Sequence, residues 1–197
     1  MKSVETFGIV IGVQRDRYFG RITSLDIFTV DYGIMRWFSR LHLDAQVDYL
    51  FASVEIIGDK TTETAGNLKK IKVIAQNASA MQENDSYEQG KLFMETLRKI
   101  TFDGFPLEDL FLITGQAIKN FVAGFNADVV LLKAVYLLCK EEGYAVDAGW
   151  MKSLGSTGKT LACDVIFSPL SLGQISNATL DRICFLTDSL IHWALAL

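Results

Sequence analysis

Phe-Gly-Ile-Val-Ile-Gly-Val, residues 7–13, is the stretch that decides the fold of the first part of this chain. Apolar side chains occupy every second position from Phe7 to Val13, and a period of two with β-branched residues predicts a strand with these side chains on one face. Gly8 and Gly12 lie on the other face, where glycine indicates a bend or a close approach of two backbones, as at a barrel corner.

Similar patterns predict four more strands, over residues 20–31, 34–40, 49–57 and 68–75. The alternation in the second strand slips between Ile22 and Leu25, which predicts a bulge there. The tight turn that follows ends at Gly33, which can take a positive φ. Short strands joined by hairpins suit a small antiparallel barrel, and without a strand–helix–strand unit we expect no parallel sheet.

After the fifth strand the apolar period changes to the 3.6 residues of a helix. We predict helices over residues 92–100 and 107–125, a third that begins at Asn126 and ends near Gly143, and a last one capped by Ser176 and Asn177. Between the third and the last helix, over residues 145–175, we predict a short helix at 150–154, a Gly/Ser/Thr loop and an apolar piece that could be extended. The fold class is therefore α+β, with a barrel in residues 1–78 and a helical domain in residues 79–197.

Composition narrows the class of protein. Half of the residues are hydrophobic, so the chain should bury a real core. The net charge is −4, made of +1 over residues 1–80 and −5 over residues 81–197, which argues against coating nucleic acid by bulk charge. We see no signal peptide and no span of about 20 apolar residues, so we expect a cytoplasmic protein without a membrane partner.

Several residues that could support chemistry lack the partners they would need. Gly155 to Thr160 ends like a phosphate-binding loop, but Ser153 stands where that motif needs glycine, and no buried strand precedes it. No zinc or triad partners are spaced around His42 and His192. The three cysteines (Cys139, Cys163, Cys184) suit free buried thiols rather than a disulfide framework or zinc site. We therefore expect neither an enzyme nor a cofactor.

The basic residues of the barrel carry more information, because aromatic residues lie among them. A charged groove with aromatic platforms is how small barrels hold single-stranded nucleic acid, whereas the plainer interpretation is a set of solvated strand edges. The candidate nucleic-acid-binding residues are Arg15, Arg17, Arg21, Arg36, Arg40, Lys69, Lys70, Lys72 and Trp37, with Tyr18, Phe19 and Phe38 beside them.

The order of several short motifs resembles that of the bacterial recombination mediator RecO. The first three match the opening strands of that family, and the others match its helix, the segment that ends it, and a later Ser-Pro turn. They lie at residues 7–13, 21–29, 31–36, 131–138, 143–147 and 167–170.

This resemblance implies an oligonucleotide/oligosaccharide-binding (OB) barrel followed by a helical domain, in a DNA repair protein that is not an enzyme. It implies binding to single- and double-stranded DNA, to the acidic C-terminal tail of single-strand binding protein, and to RecR and often RecF. Many members carry a four-cysteine zinc finger where this chain has only Cys163, so zinc is not expected. The basic run after the third strand is reduced here to Arg40, which predicts weaker DNA binding.

A different hypothesis is a protein–protein adaptor whose helical domain receives an amphipathic or acidic peptide. Lys119 and Lys133 lie on helices with large apolar stripes and could hold a peptide carboxylate. A third hypothesis, nucleotide hydrolysis with Lys159, lacks the required motif context.

Overall fold

The computed structural model describes residues 2–41, 43–44, 47–101, 107–171 and 176–196, and of Asn177 the backbone only. The first part of the chain forms a β-barrel, and helices follow it, as predicted. The strands run β1 Lys2–Arg15, β2 Ile22–Thr29, β3 Gly33–Ser39, β4 Ser53–Lys60 and β5 Ala65–Ala75.

The five strands close into a barrel in the order β1-β2-β3-β5-β4, with β4 pairing back to β1. Four pairings are antiparallel, but β3 and β5 run parallel, from Arg36 beside Ala65 to Ser39 beside Leu68. The expectation of antiparallel hairpins alone was therefore wrong, because β4 does not pair with the strand before it. A small closed barrel of this kind is OB-like.

Two bulges set which side chains face the barrel interior. The pairing of β1 with β2 shifts between Val10 and Gly12, so the inward positions change from even to odd across Ile11. Phe7 and Val13 consequently do not share a face: Val13 packs on the core, whereas Phe7 is exposed. The bulge predicted after Ile22 is confirmed, since the partner of Arg15 is Ile22 and that of Gln14 is Ser24.

Trp37 is the largest side chain of the barrel core and is fully buried. Its ring lies against the backbone of Gly58 and Gly66, where the Cβ of any other residue would come within 2.5 Å of Cζ3. Gly8 packs in the same way against Ile27, which confirms the close approach predicted for that glycine. Glycine therefore provides the room that a large indole needs inside a small barrel.

Helices make up the rest of the described chain: α1 Ala78–Glu83, α2 Tyr87–Ile100, α3 Glu108–Val122, α4 Ala127–Glu141, α5 Trp150–Ser153, α6 Ser156–Phe167 and α7 Asn177–Leu195. The Gly/Ser/Thr loop and the extended piece predicted before residue 168 were wrong, because α6 spans both. No described helix combines the length and the apolar character that a membrane crossing requires.

The predicted helix ends of α4 are confirmed. The Asn126 side chain accepts a hydrogen bond from the Val129 N–H, and Gly143 follows the helix with φ +82°. Ser176 stands at the N-cap position of α7, but its hydroxyl lies 2.8 Å from that of Thr179 instead of capping a backbone N–H.

The chain forms two compact units. The first contains the described residues up to Ala80 together with residues 107–112, and the second contains Met81–Thr101 and the described residues from Ile113 onward. The barrel core lies in the first unit, and α2, α4, α6 and α7 pack together in the second.

Candidate nucleic-acid interface

The turn between β1 and β2 is tightly built around one carboxylate. Asp16 Oδ1 accepts hydrogen bonds from the backbone N–H groups of Tyr18 (2.9 Å) and Phe19, and the Asp16 N–H donates to the Arg21 carbonyl across the turn. Hydrogen bonds from Phe19, then from Tyr18, lower the pKa of Asp16, and Arg21 adds to this effect. The hydrogen bonds of Asp16 thus fix the backbone of the turn that carries Tyr18 and Phe19.

This turn presents two aromatic rings and a set of arginines to solvent. Tyr18 is 91% exposed and Phe19 is 78% exposed. The Arg21 guanidinium lies 5.4 Å from the centre of the Phe19 ring, and Arg15 Nη1 donates to the Gly20 carbonyl at 3.2 Å. Aromatic side chains exposed in this way can stack on unpaired bases.

The carboxyl end of β3 brings further residues to the same end of the barrel. Phe38 pairs with Ser24, so β3 ends beside the β1–β2 turn, with Phe38 48% exposed and Arg40 directly beyond the strand. Because β5 runs parallel to β3, Lys69 follows at the same end. The structure therefore brings together Arg15, Arg17, Arg21, Arg40 and Lys69 with Tyr18, Phe19 and Phe38, and we call this set the turn cluster.

The basic side chains of the turn cluster differ in whether they form ion pairs. Arg17 and Arg40 are exposed and form no ion pair with any residue in the described ranges, whereas Lys69 Nζ lies 2.6 Å from Asp59 Oδ1. Lys70 and Lys72 lie further along β5, opposite Ile57 and Glu55, and Lys72 Nζ is 3.6 Å from Glu55 Oε2. We do not include these two lysines in the turn cluster, because the pairing of β5 with β3 ends at Leu68.

Arg36 is held by a neighbouring strand. Its Nε and Nη2 donate to the two carboxylate oxygens of Asp26, at 2.7 and 3.2 Å. The Asp26 side chain is only 4% exposed, so the guanidinium stabilises a buried charge rather than standing ready for phosphate.

The proposal of Trp37 as a stacking platform was wrong. Arg36 and Phe38 point outward from β3, so the alternation of the strand directs Trp37 into the barrel core, where it is fully buried. The indole Nε1 has no hydrogen-bond partner among the described residues. The rings of Tyr18, Phe19 and Phe38 in the turn cluster are exposed instead.

Lys133 and Lys119, the two lysines expected to hold a peptide, lie in different surroundings. Lys133 Nζ donates to the carbonyl oxygens of Ile166 (2.8 Å) and Ser168, so it satisfies the carboxyl end of α6, and burial lowers its pKa. Lys119 is exposed on α3.

Other residues singled out by the sequence are in ordinary surroundings. Gly155 to Thr160 includes the first turn of α6, with the Lys159 N–H bonded to the Gly155 carbonyl as in any helix, and the short helix α5 precedes it. His42 lies outside the described residues. Over the described ranges, no three His, Cys, Asp or Glu side chains are placed to hold a metal ion.

The cysteines are free thiols with different exposure. Cys139 is buried, which raises its pKa to about 12, Cys163 is half-buried, and Cys184 is exposed on α7. The expectation of buried thiols was right for Cys139 and wrong for Cys184.

No protein-family model matches this chain, and no curated protein matches it significantly.

Proposed function

We propose that this chain is a non-catalytic DNA-binding protein of the RecO type, which acts in DNA repair and recombination and holds DNA at the turn cluster of its OB-like barrel. The motif order that resembles RecO and the barrel-then-helix layout both support this proposal.

The observation that carries the proposal is the combination, at one end of the barrel, of exposed rings and guanidinium groups that form no ion pair with any described residue. Tyr18, Phe19 and Phe38 are exposed there, beside Arg17 and Arg40. OB barrels bind oligonucleotides with the face of strands 2 and 3 and with the loop that joins strands 1 and 2. Most of the turn cluster lies on these same elements, with Arg15 at the end of β1 and Lys69 on β5 beside them.

Each group has a distinct task in this proposal. The arginines contact phosphate oxygens, and the rings stack on unpaired bases, which is tolerant of sequence. Few cations of the turn cluster are available to contact phosphate, and the net charge of the chain is −4. We therefore expect a weak affinity for DNA and a shallow dependence of that affinity on salt concentration. Duplex DNA offers phosphates but no unstacked bases, so it should bind more weakly than single strands.

The proposed partners come from the resemblance to RecO. They are the acidic tail of single-strand binding protein, RecR and, in some systems, RecF, in the bacterial cytoplasm and at the nucleoid. Of the two lysines proposed for a peptide carboxylate, Lys133 is engaged by the carboxyl end of α6.

The first test measures fluorescence anisotropy of a labelled oligothymidine of about 16 nucleotides. We expect binding at low salt that weakens at moderate salt. Reversal of Arg17, Arg21 and Arg40 to Glu should remove most of it and flatten the salt dependence, because three phosphate contacts are lost. Replacing Phe19 and Phe38 by Ala should cost about 1–3 kcal/mol of binding free energy per stacked base.

A matched variant controls for net charge. Lys99, Lys152 and Lys159 are exposed on helices of the second unit, and their reversal to Glu changes the total charge equally. This variant should bind almost as the natural chain does. No binding at low salt, or equal losses in the two triple variants, would refute the DNA-binding function.

A second candidate function is a protein–protein adaptor with little affinity for DNA. It is favoured by a groove between α2, α4 and α7 in the helical unit. Peptide binding that survives reversal of the turn-cluster arginines, in a chain that fails to bind DNA, would support this function.

A further inference from the structure

Three helices of the second unit enclose a groove that the DNA-binding proposal does not use. Its volume is about 220 Å³, and it lies between α2, α4 and α7, which pack on one another. This is less than the roughly 300–1,000 Å³ of a typical small-molecule site, and suits one or two inserted side chains. The lining residues are Glu88, Gln89, Leu92, Asp128, Leu131, Cys184, Thr187 and Asp188.

The wall of this groove is mainly apolar. Leu131 and Thr187 are buried beneath it, and Leu92 contributes a partly exposed side chain from α2. The Thr187 hydroxyl donates to the Ile183 carbonyl of its own helix, which leaves its methyl group for contact. An apolar wall of this kind favours an aliphatic side chain or the methylene stem of a long one.

Carboxylates surround this apolar wall, and none of the described lining residues is a cation. Asp128 accepts a hydrogen bond of 3.3 Å from the Gln89 amide, which fixes its position on α4. Glu88 and Asp188 are exposed on α2 and α7, and Glu88 also pairs with Lys91 at 2.9 Å. The charge of the groove is therefore negative.

Cys184 reports the same negative potential from within the groove. Burial raises the pKa of its thiol, and the Asp128 carboxylate raises it further, with smaller effects of Asp188 and Asp181. Besides burial, Asp128 and Asp188, which both line the groove, therefore disfavour an anion at this point.

The apolar surface continues past the groove along α7. Phe185 is 70% exposed, and it lies one helical turn from both Asp181 and Asp188. A small cation could occupy the groove alone, but it would leave this ring uncovered. The extended surface fits a chain with several side chains.

We propose that this groove docks a partner-protein segment in which basic side chains alternate with apolar ones, with an ammonium or guanidinium group held by Glu88, Asp128 and Asp188. Apolar side chains of the segment contact Leu92, Leu131 and Phe185. An acidic peptide, such as the tail of single-strand binding protein, would meet three carboxylates and be repelled. The groove is thus independent of the proposed DNA function and selects a partner of the opposite charge.

The test uses the full chain and a synthetic peptide, Leu-Arg-Leu-Lys-Leu-Arg, labelled with fluorescein. We expect it to bind, with a version carrying Glu at the basic positions showing no binding. The combined variant Glu88→Gln and Asp188→Asn should weaken binding about tenfold, equal to about 1.4 kcal/mol. The matched control, Glu141→Gln with Asp164→Asn, removes two exposed carboxylates elsewhere in the same unit and should bind normally.

Alkylation of the exposed Cys184 thiol locates the bound peptide directly. The basic peptide should slow its reaction with iodoacetamide and leave that of Cys163, on α6, unchanged. Reversal of the turn-cluster arginines should not alter this protection, which separates the groove from the DNA site. Absent protection, equal weakening in both double variants, or equal protection by spermidine, which has no apolar side chains, would overturn the proposal.

Discussion

At the scale of single residues, Trp37 shows how a composition-based prediction can miss the role of a side chain. Its neighbours in the sequence are arginines and aromatic residues, which favoured a DNA-stacking role. The period of the strand was already sufficient to exclude that role, because outward-facing Arg36 and Phe38 leave only the core for Trp37. The exposure of Phe19 and Tyr18, in contrast, follows from their place in a polar turn and could be predicted.

Because Trp37 packs tightly against Gly66, we predict that a larger residue at position 66 destabilises the barrel. Gly66→Ala would place Cβ 2.5 Å from Trp37 Cζ3 and 3.0 Å from the Asp59 carbonyl. Since neither a packed indole nor a strand backbone can give way easily, we expect a loss of about 1–3 kcal/mol in the free energy of unfolding. Urea denaturation followed by circular dichroism measures it.

Gly158→Ala is the control for this substitution. Gly158 lies in α6, and its nearest new contact would be Leu154 Cβ at an ordinary 3.7 Å. Alanine should stabilise the helix there by about 0.5–1 kcal/mol, so the two glycine substitutions have opposite signs. A Gly66→Ala variant as stable as the natural chain would contradict the packing around Trp37.

At the scale of elements, α6 was predicted as a loop and an extended piece. Gly158, together with Ser156, Thr157 and Thr160, lowers its intrinsic helix propensity. Tertiary contacts override this preference: Ala162 and Ile166 are buried, and Lys133 from α4 satisfies carbonyls at the carboxyl end. None of these contacts is local in sequence. The ends of α4 carry local signals, Asn126 and Gly143, and were therefore predictable.

The end of α4 also carries a carboxylate in an unfavourable place. Glu142 is the C-cap residue, so its charge faces the negative end of the helix dipole, and its Oε1 is buried without a partner among the described residues. Burial raises its pKa above the usual 4.5. The native state therefore binds the proton more tightly than the unfolded state does, and this contribution to stability is lost as the pH rises through the native pKa.

Glu142→Gln should accordingly stabilise the protein at neutral pH. We expect a gain of about 0.3–1 kcal/mol at pH 7, little change below pH 4.5, and a flatter profile of stability between these values. Thermal unfolding over this pH series measures the effect. Glu141→Gln, one residue earlier and exposed, is the control, and an equal gain from both variants would attribute the effect to net charge or to the helix dipole rather than to burial.

At the scale of the whole molecule, sequence patterns predicted the layout but not the pairings that close it. The period of two found the strands, and the period of 3.6 found most helices. The parallel pairing of β3 with β5 joins segments separated by β4, and no local pattern encodes it. The groove was missed for the same reason, since its carboxylates come from three helices far apart in the sequence.

A further long-range feature is the helical segment that belongs to the barrel unit. Residues 107–112 join the first unit although they follow α2 in the chain. Phe111 lies edge-on to Phe28 of β2, with ring centres 5.5 Å apart and an angle of 74° between the planes. Phe28 is fully buried on the outer side of β2, so this ring covers apolar surface that the barrel strands alone would leave in water.

The stability of β2 should therefore depend on a side chain that lies far from it in the sequence. In the full chain, Phe111→Ala should lower the protection of β2 amides against hydrogen exchange by about 2 kcal/mol, because a ring contact and apolar burial are lost together. Leu112→Ala removes the next side chain of α3, which is 62% exposed, and should leave that protection within about 0.5 kcal/mol of the natural value. If the barrel instead closed its own core without this helix, the β2 amides would be equally protected against hydrogen exchange in both variants. A fragment ending at Ala80 would then be as stable as the barrel in the intact protein.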